Sequence, residues 1–204
     1  MQAVVLQLLQ HARDRFAAWL GRYEAWHGVN GITERNLSFQ VATSFLAQFN
    51  DSVAFMEVPF SAAEGGRTDK HLDAYLFSPA LALLVESKIV WAPRHVSWVA
   101  EDIDRMTPPL ISQLRRRHIG THPQATHGLV VAETWSADIA NWWAGEDGAR
   151  PRWQRGPLLT ARPYGAWQFG FLPVHQARPG REGTLFWLYG VSPELTSSAS
   201  GRAV

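Results

Sequence analysis

The chain has 204 residues, ten Trp, no Cys and a formal net charge of +1. That length is expected to form one domain, and the missing Cys excludes disulfides and thiolate metal sites and fits a reducing cytoplasm. A near-neutral charge excludes a global basic field, so a nucleic-acid partner would need a local patch.

In chain order, residues 4–20 read as an amphipathic helix, with Val5, Leu8, Ala12, Phe16 and Trp19 at three- and four-residue spacing. The mildly apolar start lacks the basic flank and small-residue cleavage site of a signal peptide. A Gly/Asn loop at 28–31 breaks the pattern. A second helix is predicted over 33–49, capped by Thr33, with the stripe Leu37, Val41, Phe45, Phe49 and with Glu34 in its first turn. Residues 52–60 read as a strand, and 61–68 as a polar, Gly-containing connection. The best strand patterns are 71–77 and 81–91, joined by the turn signal Ser78-Pro79-Ala80. A helix over 96–106 is interrupted at Thr107-Pro108-Pro109 and resumes over 110–118. A short apolar strand, 128–134, precedes a helix that Ser136 caps and that runs to Trp143. After a loop at 145–157, strands are predicted over 169–175 and 185–191, and the tail from Ser192 is expected to fray.

This order implies an α/β fold: a mixed central β-sheet flanked by helices. The division expected is 1–32 as an N-terminal helix and loop, 33–144 as the core, and 145–204 as an extension completing the same domain. No run of ~18 apolar residues is present, so no membrane partner is expected.

The 19 basic residues are 17 Arg and only two Lys, Lys70 and Lys88. A lysine here is not generic surface filler, and Lys88 lies in one of the most apolar stretches. If 71–91 is a hairpin turning at Pro79-Ala80, Asp73 falls opposite Glu86, and alternation puts Glu86 and Lys88 on one face. Leu72, Ala74, Leu83, Val85 and Ile89 then point to the other. Carboxylates on opposed Cβ atoms ~5 Å apart repel by roughly 3 kcal/mol at an effective dielectric near 20. A divalent cation between them would reverse the sign, and Mg²⁺ commonly takes one or two carboxylates plus water and phosphate. Lys88 could orient or deprotonate an attacking water, or stabilise a charged transition state.

The segment "LDAYLF…ALLVESKIV" resembles the Asp…Glu-x-Lys signature of the PD-(D/E)XK, restriction-endonuclease-like nucleases, over about half the chain (33–134). The resemblance implies a restriction-endonuclease-like core and an Mg²⁺-dependent nuclease (Mn²⁺ substituting) acting on DNA. It implies Asp73 and Glu86 as metal ligands, Lys88 as catalytic, and Glu34 as an accessory acid reaching the metal through water. An endonuclease of a defence, restriction or mobile-element system is the setting it suggests, with a homodimer if both strands are cut. Leu72 replaces the proline of the family's name. Gln113 is followed at the relevant spacing by Arg117 and not Tyr, which disfavours the exonuclease-type branch. The alternatives are a non-catalytic nucleic-acid- or protein-binding module on the same fold, and an unrelated α/β protein in which Glu86-Ser87-Lys88 is incidental.

Arg115, Arg116 and Arg117, and Lys70 before the Asp strand, are the expected phosphate contacts; a solvated helix end is the competing account of the arginine run. Glu57 reads as a salt-bridged surface residue. His71 and His95 are placed at the edge of the site, and His118, His122 and His127 read as loop histidines without a ligating role. The tryptophans at 135, 142, 143, 153, 167 and 187 read as core packing before base stacking.

Overall fold

The structure, a computed structural model, describes residues 2–22, 34–60, 70–92, 95–116, 122–144, 167–176 and 183–195. In chain order the elements are α1 (Gln2–Leu20), α2 (Glu34–Gln48), β1 (Val53–Phe60), β2 (Lys70–Phe77), β3 (Leu81–Ile89), α3 (Val96–Arg105), α4 (Pro108–Arg115), β4 (Ala125–Thr134), α5 (Ala137–Ala144), β5 (Gln168–Gln176) and β6 (Thr184–Val191).

The strands form one mixed sheet in the order β1-β2-β3-β4-β6-β5. The first three are antiparallel neighbours, β3 and β4 run parallel, and β6 pairs antiparallel with both β4 and β5. A parallel pair needs a crossover, and α3 and α4 supply it. The expected α/β class and mixed sheet are therefore present, and β5 and β6 bring the C-terminal extension into the same sheet. Among the described residues no helix is long and apolar enough to cross a membrane.

Helices cover both faces. Val5, Leu8, Ala12 and Phe16 of α1, with Leu37, Val41 and Phe45 of α2, pack on Ala74, Leu76, Leu83, Val85, Leu129 and Val131. On the other face Val99 and Ile103 of α3, Leu110 and Leu114 of α4, and Trp142 and Trp143 of α5 pack on Tyr75, Leu84, Val130 and Ala132. Strand alternation assigns these two sets. Every residue of β4 is buried, as a parallel strand covered on both sides must be. Gly128 lets side chains close in there: a Cβ would stand 2.5 Å from Met106 Sδ and 2.8 Å from a Trp167 ring carbon, so both would have to shift.

Three expectations are corrected. Strand β4 begins at Ala125, earlier than its apolar run, because its pairing with β3 starts at Leu81↔Ala125. The resumed helix begins at Pro108, where Thr107 caps it and proline's missing N–H costs no hydrogen bond. The chain just past β6 is held: Ser192 Oγ accepts the Gly128 N–H at 2.7 Å, and the Leu195 N–H donates to Thr126. Thr33, the loops at 28–31, 61–68 and 145–157, and the tail beyond 195 lie outside the described residues.

Candidate active site

The β2–β3 hairpin has the register the turn implies: Phe77↔Ala82, Leu76↔Leu83, Tyr75↔Leu84, Ala74↔Val85. One step further would set Asp73 against Glu86, but the ladder stops. The β1–β2 ladder is interrupted at the same level, since Glu57 and Asp73 are unpaired between Met56↔Ala74 and Val58↔Leu72. Glu57 there has φ +52, a conformation rare for a non-glycine residue. The break also disturbs alternation, so Leu72, expected on the α1/α2 face, packs with Val58 in the opposite cluster.

Where β2 leaves β3, carboxylates take over its hydrogen bonds. Leu81, Leu83 and Val85 turn their amides toward β2, so the next donors on that side are Ser87 and Ile89. Asp73 Oδ2 accepts from the Ser87 amide and from Ser87 Oγ, both at 2.6 Å. Glu34, in the first turn of α2, accepts from the Ile89 amide at 3.1 Å. Buried backbone donors need partners, and here two acidic side chains supply them.

Glu86 and Lys88 lie on the α3 face. Glu86 is 1 % exposed and accepts from Arg105 Nη2 at 3.0 Å. Lys88 Nζ lies 3.1 Å from Asp102 Oδ2, and Arg105 also pairs with Asp102. The result is a chain of alternating charge, Glu86–Arg105–Asp102–Lys88, between β3 and α3. The cation expected between Asp73 and Glu86 is thus partly replaced by Arg105. Sequence reasoning missed Asp102 and Arg105. Asp102 carried a signal, because it falls on the stripe Val99, Ile103, Met106, where an apolar residue belongs.

Acid still exceeds base. Asp73, Glu86, Asp102 and Glu34 face two cations, Lys88 and Arg105. Burial pushes the Glu86 carboxyl up to about 8, reinforced by Asp102 and Asp73 and opposed by Arg105. Burial also works to lower the Lys88 ammonium, but its pairing with Asp102, aided by Glu34 and Glu86, outweighs this and holds it above its ordinary value. Lys88 is therefore a cation at neutral pH, suited to stabilising negative charge and not to removing a proton.

The donor set fits a hydrated hard cation. The hydrogen bonds to Ser87 and Arg105 use Asp73 Oδ2 and Glu86 Oε1. Among the described residues no three His, Asp or Glu side chains are grouped to hold a metal by themselves. A divalent ion would accordingly have two protein carboxylates, with water and phosphate completing its shell, as Mg²⁺ accepts.

The remaining expected residues are more dispersed. Arg115 Nη2 donates to Thr126 Oγ1 at 3.1 Å and lies close enough to the Tyr75 hydroxyl to oppose its rise to about 12. Arg116 is exposed at the C-cap of α4. The Lys70 backbone pairs with Phe60; its side chain, like Arg117 and His118, lies outside what is described. Glu57 is paired with Arg35 at 3.3 Å. His71 is exposed, while His127 is no loop residue: it is buried in β4 with Nδ1 2.9 Å from the Ser192 carbonyl. Trp142, Trp143 and Trp187 are buried as expected, Trp135 and Trp167 partly so, and Trp153 is not described.

No family model matches the chain, and neither a curated protein nor a solved structure matches it.

Proposed function

We propose that this protein is an Mg²⁺-dependent nuclease of restriction-endonuclease-like type that hydrolyses phosphodiester bonds in DNA as an endonuclease. The observation that carries the reading is the parting of β2 from β3, where Asp73 and Glu34 bind β3 amides beside Glu86 and Lys88. The element order α2-β1-β2-β3-α3-β4, with an acid opening the helix and the Asp and Glu-x-Lys strands paired, supports it. A setting in defence, restriction or a mobile element follows from the resemblance alone.

In this reading Asp73 and Glu86 would hold the cation through the oxygens that do not bind Ser87 and Arg105. The chemistry it would supply is charge neutralisation at the phosphate and activation of water. Lys88, kept cationic and oriented by Asp102, stabilises the charge that builds on the phosphodiester oxygens. Arg105 holds Glu86 and Asp102 in place. Glu34 fixes the end of β3, and its place on the Ile89 amide makes it a positioning residue beside the site. Arg116, with Arg117 and Lys70, is proposed to meet phosphates away from the cut.

A second reading has one observation in its favour: Glu86, Arg105, Asp102 and Lys88 form ion pairs with one another within the protein. That is how a non-catalytic binding module on this fold would be stabilised. Incubation of supercoiled plasmid with the protein and Mg²⁺ or Mn²⁺ decides between them. The nuclease reading expects nicking that EDTA and Lys88→Ala both abolish; binding without cutting establishes the module. A homodimer belongs to the proposal only with double-strand cutting, and sedimentation of a monomer would remove it.

A further inference from the structure

Most described tryptophans are wholly or partly buried, but two beside the charged cluster are not. Trp91 is 71 % exposed and Trp98 47 %. Scattered exposed apolar residues need no explanation; these two are neither scattered nor loose. The Trp91 amide donates to His95 Nδ1 at 3.2 Å, and the two rings lie 6.2 Å apart. The His95 ring is buried and stacks on Trp98 at 4.4 Å with 9° between planes. One buried histidine thus joins the two tryptophans into a unit, stacked on the Trp98 ring and bonded to the Trp91 backbone.

The unit adjoins the site along two routes. Trp91 follows Lys88 by three residues, just past the end of β3. Trp98, Asp102 and Arg105 stand at four- and three-residue spacing on α3, so the indole lies on the same stripe as the partners of Lys88 and Glu86. A polymer whose phosphate meets Lys88 would pass its adjoining bases over this surface.

We propose that Trp91 and Trp98 form a stacking platform for unpaired nucleobases, so that the preferred substrate is single-stranded or frayed DNA and not continuous duplex. An indole stacks on any base whose face is free, whereas a duplex covers its base faces with neighbouring pairs. The platform's position relative to the cut rests on the nuclease reading; its preference for unpaired bases does not.

The test is fluorescence anisotropy of a labelled oligothymidylate, alone and annealed to oligoadenylate, in EDTA so that nothing is cut. The single strand should bind more tightly than the duplex. Trp91→Ala and Trp98→Ala should each weaken single-strand binding by about tenfold, and Trp91→Phe should restore much of it. Trp19, exposed on α1 across the sheet, is the control: Trp19→Ala should have no effect. Equal or tighter duplex binding, indifference to both alanine variants, or an equal loss in Trp19→Ala overturns the platform. Unchanged thermal melting establishes that the variants fold. Cleavage of the same labelled single strand in Mg²⁺ is scored separately. Binding that needs the two indoles without any cleavage sinks the nuclease and leaves the platform; cleavage with binding indifferent to them does the reverse.

Discussion

Two glutamates on adjoining parallel strands are buried on opposite faces of the same sheet, and their surroundings differ. Glu86 on β3 lies under α3 among Arg105, Asp102 and Asp73. Glu133 on β4 shares the α1/α2 face with Leu129, Val131 and Trp187, and its Oε2 has no hydrogen-bond partner among the described residues. Burial pushes Glu133 up to about 7, with help from Glu34. A guanidinium beside Glu86 does not bring its carboxyl down to the ordinary range, because desolvation and two neighbouring acids together outweigh one cation. The face under α3 sets Glu86 among charged partners. The face under α1 and α2 sets Glu133 among apolar side chains, with Glu34 the acid that adds to its shift.

The comparison breaks most sharply on activity. Lys88→Ala should lower plasmid nicking by about 10²–10³-fold, the usual effect of losing one transition-state donor, while Glu133→Gln should nick at the parent rate. Equal losses from both, read on agarose gels, would end the distinction between the faces.

The next effect is on stability. Arg105→Ala leaves Glu86 and Asp102 buried without their guanidinium and should cost roughly 3 kcal/mol in urea unfolding. Added Mg²⁺ should restore part of that loss if the acids can hold a cation. A loss that Mg²⁺ leaves untouched favours the binding-module reading.

Both glutamates make stability depend on pH in the same direction. Each has a folded pKa above its ordinary 4.5, so folding takes up protons. Their contribution is complete below about pH 4.5 and is lost as pH rises through about 7 for Glu133 and about 8 for Glu86. Unfolding free energy should fall by several kcal/mol, about 6 at most, between pH 5 and pH 9. Glu133→Gln should flatten the lower part of that fall; a stability that rises over the range would contradict both assignments.

The smallest effect belongs to the hinge of the site. Ser87→Ala removes one of the two donors to Asp73 Oδ2 and should cost about 1 kcal/mol. Its effect on nicking should exceed its effect on melting, since Asp73 would be less well aimed.

Much of this was legible in the sequence. The period of apolar residues located every described helix and strand to within a few residues, and the Ser78-Pro79-Ala80 turn set a register that puts Asp73 level with Glu86. Two signals went unread: alternation along "LVVAET" sets Glu133 with Leu129 and Val131, and Asp102 falls on an apolar stripe of α3. The early start of β4 was not legible, because Thr126, His127 and Gly128 carry no apolar signal and only the parallel partner recruits them.

The sequence by itself determined the α/β class, the hairpin and the face shared by Glu86 and Lys88, because local periodicity and turn chemistry act over a few residues. Only the tertiary structure decided that β2 leaves β3 at Asp73, that Asp73 and Glu34 take the vacated amides, and that Arg105 and Asp102 interleave with the two site charges. Those pairings join residues from different elements, and their energies depend on burial and distance, which no local pattern encodes.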